Sequence, residues 1–577
     1  MILKTAFCVI SITIGFCASI VHSKSLAGSY LAGSNAAMRG DYVAASKYFA
    51  ETLLLDPQNQ FIKYNAMLSN LSMGDVRTAT NYAKEITSNS NNNQLADLLI
   101  FADHIKNERY GLAHKILKRN EENYTELLFG LLNGWTELGR GKMSSVLKTF
   151  DEMNSNSTLR LFGQYHKALA LAAVGDFETA DKILSGNANG SLRLTRGSLI
   201  AHAQIMAELS KEKEALELID NMALKGQDKE LDILRQKIQN GSSTYNYVTS
   251  AKQGIAEVLF TLAFALNGSE NDQTSLLYGR LAQNLRPNNA ETILLTSELL
   301  RDQKQFDLAI ENYEKIRKDN GLYLSSEIGR VETLIAADKP DLAIDALKKL
   351  SVDYKDSTRV LMSLGDAYRG QKKFTLARSA YDKTQSLIGK PNSSHWFLFY
   401  SLGICNERLG NWPRAEMNFR KALDLSPNQP LILNYLGYSL VEKNKNLQEA
   451  RDMIEKAVAA RPNSGFIIDS LGWSLFTLGN FEDAIHPMER AVELMPDDPI
   501  VNDHLGDVYW KVGRKREARF QWKRAISFDP EEKRVKVILQ GACSGCPSST
   551  FTLKNGIENM LKDMLKDQDI KVKAING

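Results

Sequence analysis

The chain has little cysteine, little proline and almost no net charge, and each scarcity removes a class of protein. Five cysteines among 577 residues are too few for a disulfide framework. Cys8 and Cys17 lie in an N-terminal apolar run, Cys405 stands alone as a packed small residue, and only Cys543 and Cys546 are close together. Thirteen prolines beside 43% apolar residues argue against long disorder and for a folded helical chain. Lysine plus arginine number 71 against 68 acidic residues, a net of +3, so the basic footprint of a nucleic-acid binder is missing. His-Glu-x-x-His groupings, glycine-rich phosphate loops and serine nucleophile elbows are absent, and no enzymatic activity is expected.

What is present is a cadence. Leu402-Gly403, Leu436-Gly437, Leu471-Gly472 and Leu505-Gly506 stand 34 or 35 residues apart. Each Leu is followed by Ala415, Ala450, Ala484 or Ala518, then by Ala422, Ala457, Ala491 or Ala525, and Pro427, Pro462, Pro496 and Pro530 close the units. Small residues let two helices cross closely, so Gly437 and Ala450 mark a tight contact within a helix hairpin. Proline stops a helix by removing a hydrogen bond and clashing with the preceding turn. A single hairpin buries too little apolar area alone, and stacking neighbours supplies the rest.

The pattern resembles the tetratricopeptide (TPR) repeat, with a period of about 34 residues. The resemblance implies a mainly α fold, a right-handed superhelical solenoid of helix hairpins whose concave face receives proteins or peptides. The same register starts at Ala45, Ala79 and Ala113, and Gly-Asp turns recur at Gly40-Asp41, Gly74-Asp75 and Gly175-Asp176, where glycine turns the chain and aspartate caps the next helix. An extra helix, Lys229 to Gln239, and a polar turn interrupt the cadence before Val248 to Leu266 supplies the next first helix. The expected organisation is 1–23 signal peptide or anchor, 24–220 N-terminal array, 221–247 helix and linker, 248–530 C-terminal array and 531–577 tail, with thirteen or fourteen units in all.

In the TPR pattern the residues two before and two after the Leu face inward, here Asn434 and Tyr438, Asp469 and Trp473, Asp503 and Asp507. They do not combine Lys with Asn as a carboxylate clamp does, since no Lys stands among them. Tyr438 and Trp473 serve either as anchors for a peptide or as packing between repeats. At the other end Lys4, the apolar run Ala6 to Val21 and the small Ser23 read as an export signal, shorter than the roughly 20 residues of a spanning helix.

After Pro530 the pattern breaks. Lys533 to Leu539 reads as a strand, Phe551 to Leu565 has helical spacing, and Ile570 to Ile575 suits a closing strand, giving a small α+β fragment. Pro547 suits the first turn of a helix, which sets Cys546 at a helix start where a thiolate is stabilised. Two thiolates two residues apart make half of a tetrahedral sulfur site. Gly541 through Glu558 resembles the C-terminal domain of NifU-like (Nfu) proteins, though the family's preceding helix and strand are replaced by repeat sequence. The resemblance implies that Cys543 and Cys546 ligate an iron-sulfur cluster, four-iron and shared between two chains, for transfer to apo client proteins, with homodimerisation through the tail. Zinc is the alternative metal. The signal-like N-terminus implies the periplasm or envelope, whereas cluster chemistry implies the cytoplasm; the alternative function is therefore an exported adaptor with a vestigial tail.

Overall fold

The computed structural model describes residues 25–89, 93–155, 157–186, 195–221, 229–268 and 272–528, together with the strand backbones 534–539 and 571–576. The expected signal at 1–23 lies outside them. Among the described residues the α-helices follow one another in sequence as hairpins, and the helix Lys229–Gln239 stands outside the pairing. The chain is mainly helical and solenoid-like in its local stacking, and it divides into two compact units, Met1–Ala346 and Leu347–Gly577. The helix Lys229–Gln239 lies inside the first unit. Among the described residues no helix is long and apolar enough to cross a membrane.

The hairpin follows from the residues that mark it. A side chain on Gly437 would approach the Ala450 carbonyl oxygen to 2.8 Å, and one on Gly403 would meet the Phe419 ring at 2.5 Å. Gly472 and Gly506 stand in the same way against Met488 and Trp522. Gly74 ends its helix at φ 101°, a conformation closed to most side chains, and Asp75 then accepts from the Thr78 amide at 3.0 Å. Buried alanines, Ala415, Ala450, Ala484 and Ala518, occupy the facing positions of the second helices.

The first unit departs from an open stack. The helix Ala251–Leu266 forms a hairpin with Asp272–Leu285, and both also pack back onto earlier first helices: Ala251–Leu266 onto Glu126–Gly139 and Ser157–Ala173, Asp272–Leu285 onto Gln60–Met73 and Gln94–Lys106. Gly254 permits this, since a Cβ there would lie 2.1 Å from the Trp135 ring. The Arg280 guanidinium, 3% exposed, donates to the Ser72 carbonyl at 3.0 Å and the Met73 carbonyl at 3.3 Å, covering the end of Gln60–Met73. A continuous apolar core runs from Tyr42 to Tyr313 as a result. The face of this unit that was expected to receive partners is thus filled along these helices by its own chain.

Beyond Phe528 the described backbone is two strands, Arg534–Leu539 and Lys571–Asn576, paired in parallel with Arg534 opposite Lys571. The helix expected over Phe551 to Leu565 lies outside the described residues.

Candidate functional site

The two sites read from the sequence fare differently. Cys543 and Cys546 lie outside the described residues, within the connection between the two parallel strands, and begin four residues after Leu539. Among the described residues no group of three or more His, Cys, Asp or Glu side chains is arranged to hold a metal ion. Cys405 is buried, and burial pushes its thiol up to about 11, so it sits in the helix Trp396–Arg408 as a packing residue.

The six repeat positions all fall on described helices: Asn434 and Tyr438 on Pro430–Glu442, Asp469 and Trp473 on Gly465–Thr477, Asp503 and Asp507 on Pro499–Lys511. These are the first helices of consecutive hairpins, and each packs against the next. Asn434 is buried and donates to the Ser470 hydroxyl at 3.2 Å, while its own Oδ1 has no hydrogen-bond partner. Asp469 is also buried, and both its oxygens lie 3.1 Å from His504 Nδ1. Trp473 is half-buried; its ring stacks on His504 at 4.0 Å and on Phe476 at 4.9 Å, and its Nε1 donates to Glu442 at 2.9 Å. Tyr438 is half-buried, Asp503 exposed and Asp507 half-buried.

These side chains share one electrostatic neighbourhood. Burial disfavours a charged His504, yet its hydrogen bond to Asp469 and the charges of Asp469, Asp503 and Asp507 outweigh it and raise its pKa. The Asp507 carboxyl is pushed up to about 7, by burial first and by Asp503 second, against the opposing pull of His504, Trp522 and Lys511. Burial also raises the Tyr438 hydroxyl, with Glu442 and Asp469 adding to it. An imidazole with a raised pKa thus sits among acidic side chains and stacks on an indole. The repeat register pointed to Asp469 and Trp473 but not to His504, which ties them together. Its signal was a position one residue after Asp503, turned toward the seam between neighbouring first helices.

Relatives bear on both ends. Residues 328–392, 402–465 and 470–532 match the family described as tetratricopeptide repeat, and residues 525–573 match the NifU-like domain. A TPR repeat-containing protein of Pseudomonas aeruginosa is 25% identical over 187 residues, covering 32% of this chain and 31% of that one. NifU-like protein 5, mitochondrial, of Arabidopsis thaliana is 78% identical over 27 residues, 5% of this chain and 10% of its own. An iron-sulfur cluster scaffold homolog, mitochondrial, of Drosophila grimshawi is 59% identical over 32 residues, covering 6% and 11% respectively. The chain therefore spans less than a third of the length of each of these curated relatives. The chain thus carries tetratricopeptide repeats within residues 328–532 and a NifU-like domain at 525–573.

Proposed function

We propose that the chain is a repeat scaffold whose tail carries an iron-sulfur cluster on Cys543 and Cys546 and delivers it to apo client proteins recruited by the repeats. The observation that carries this reading is the NifU-like match over residues 525–573, which contains both cysteines. The donor set fits: two thiolates supply half the ligands of a tetrahedral sulfur site, so a four-iron cluster would be shared by two chains paired through a small α+β tail. The cluster is cargo, and the chain turns over no substrate of its own. Cys405 is not available to complete the set, because its thiol is buried and its pKa raised.

Anaerobic reconstitution of the full chain tests this. Iron and sulfide should be retained with a visible thiolate-to-iron absorbance, and both should be lost in Cys543→Ser and Cys546→Ser. Colourless protein without iron defeats the reading, and zinc in its place assigns the pair to a zinc site. A second reading is favoured by the apolar run Ala6 to Val21: an exported adaptor whose two tail cysteines are joined as a disulfide and carry nothing. Thiol mapping of the intact chain, after fractionation, separates the two, since free thiols in a cytoplasmic fraction contradict the second.

A further inference from the structure

In the first unit the helix Tyr110–Arg119 borders a cavity of about 480 Å³, lined by Arg109, Gly111, Leu112, His114, Lys115 and, just past the helix Glu126–Gly139, Arg140. No carboxylate stands in this lining. Gly111, His114, Lys115 and Lys118 recur at three- and four-residue steps, so they share one face of the helix. Arg140 is engaged by Glu137 at 2.6 Å and Lys118 by Glu121 at 3.2 Å, while the acidic neighbour of Arg109, Glu108, is held by Lys252 at 3.0 Å. Arg109 and Lys115 are exposed, and neither side chain makes an ion pair or a hydrogen bond among the described residues. One concavity therefore holds two positive charges without a counter-charge. The same field acts on His114, whose Nδ1 lies 3.1 Å from Glu137: its pKa is lowered by burial first and by Arg140 second, with Lys118 and Lys142 adding, against the opposing pull of Glu137.

Gly111 is a separate observation. Its φ lies outside the left-handed region, and a Cβ there would meet nothing within 4 Å. Neither backbone conformation nor packing calls for glycine, which weakens a helix relative to alanine. What the missing side chain does is keep the cavity open and leave its own backbone approachable from within it.

From this arrangement we propose that the cavity binds a phosphate monoester, its phosphate oxygens held by Arg109 and Lys115 over the bare backbone of Gly111 and its carbon side resting on Leu112, which is 45% exposed. The charge count selects the ligand. A phosphate monoester is largely a dianion at neutral pH and answers both unpaired cations, whereas a carboxylate brings one charge and leaves one of them unmatched. The guanidinium fork of Arg109 suits two oxygens of one phosphate, and the ammonium of Lys115 adds a compact point charge. With its pKa lowered, His114 is neutral at pH 7 and leaves that balance unchanged. A cavity of this volume takes a small molecule or a lipid headgroup, and the phosphate chemistry is common to both. The site lies in the first unit and does not depend on the tail cysteines.

The test titrates the full-length chain with phenyl phosphate, with benzoate as the monoanionic counterpart, and reads binding by calorimetry. Phenyl phosphate should bind more tightly than benzoate by roughly tenfold or more, and R109Q/K115Q, which alters two exposed side chains without partners, should lose roughly tenfold of that affinity or more. Gly111→Leu fills the cavity at unchanged charge and should also lose binding, with its thermal midpoint retained because nothing packs at that position. The control K421Q/K456Q removes the same charge from exposed lysines of the second unit and should bind as the parent chain does. Equal binding of the two ligands, undiminished binding by R109Q/K115Q or by Gly111→Leu, or an equal loss in the control overturns the proposal. Flotation with phosphatidylcholine vesicles, with and without phosphatidic acid, then distinguishes the sources. Retention that requires phosphatidic acid and is lost in R109Q/K115Q assigns the site to a lipid headgroup, and phenyl phosphate binding without vesicle retention assigns it to a free ester.

Discussion

The two compact units are built from the same hairpin but dispose of its apolar surface in different ways. In the first, hydrogen bonds join residues as far apart as Tyr42 and Gln303, 2.6 Å from Oη to Oε1, and one core extends from Tyr42 to Tyr313. In the second, the core is broken into short clusters, such as the one around Leu433, Ala457 and Ile467, each shared by adjacent hairpins. Among the described residues no later helix of the second unit packs back across its first helices. Nearest-neighbour stacking leaves a face free for a partner and lets stability add up repeat by repeat, whereas long-range closure fills that face and makes distant repeats depend on one another.

The sharpest way to break this contrast is to place a side chain at the two glycines that allow close approach. Gly254→Val pushes its side chain into the Trp135 ring, which is fully buried and has nowhere to move. The expected loss is about 3 kcal/mol or more, spread over the whole first unit because closure couples its ends. Gly437→Ala, set against the Ala450 carbonyl at 2.8 Å, should cost about 1–3 kcal/mol and loosen only its own and adjacent hairpins. Peptide-resolved hydrogen exchange of the full chain reads both. Exchange in Gly254→Val confined to Ala251–Leu266 would remove the distinction between the units.

How much of this was legible depended on the range of the interaction. Gly437 against Ala450, the Gly74-Asp75 turn and the helix Lys229–Gln239 are written within one unit of sequence, so period and capping chemistry suffice to find them. Closure of the first unit was not found, because Gly254 meets Trp135 across more than a hundred residues, and the repeat register says nothing about such pairs. A signal was nonetheless there: in Ala251–Leu266 only Lys252, Gln253, Glu257 and Thr261 are polar, too few for a solvent-facing stripe, the mark of a helix enclosed on most sides rather than one lining a groove. At the repeat face, register picked out Asp469 and Trp473, but which of them is sealed in the seam depends on His504 from the next helix. The cysteine segment was legible only as a motif, since its chemistry requires no particular repeat.

A smaller perturbation tests the closure from its polar side. Arg280 holds the carbonyl end of Gln60–Met73, and its Nη1 also lies 3.3 Å from Asn312 Oδ1, so it bridges three hairpins. Burial lowers its pKa to about 10, and it stays charged at neutral pH. Arg280→Met keeps the aliphatic stem but strands two buried carbonyls, an expected cost of about 2–3 kcal/mol. The loss should appear as faster exchange in Gln60–Met73 as well as near Arg280, with no change beyond Leu347. If only the helix carrying Arg280 responds, the guanidinium is not what joins the two ends of the unit.

The smallest effect is a difference in pH response. In the second unit His504 has its pKa raised from 6.5, so its contribution is complete below that value and is lost as pH climbs through the folded value. Asp507, raised from 3.8 to about 7, acts in the same sense: the native state keeps a proton that the unfolded chain has released, and stability falls as pH rises across that window. In the first unit two fully buried groups oppose each other. Glu257, which accepts from the Tyr165 and Tyr247 hydroxyls at 2.8 and 3.0 Å, is raised from 4.5 to about 7 by burial, so stability falls with rising pH. His166, which accepts from Trp135 Nε1 at 3.1 Å, is lowered from 6.5 to about 3 by burial, so stability rises with pH over that interval. Between pH 5 and pH 7.5 the second unit should therefore lose on the order of 1–2 kcal/mol while the first changes less. Urea midpoints for each unit, followed by hydrogen exchange corrected for intrinsic rates, give the comparison. Asp507→Asn should reduce the slope of the second unit to the part that His504 contributes and leave the first untouched, and an undiminished slope in that variant places the Asp507 share elsewhere.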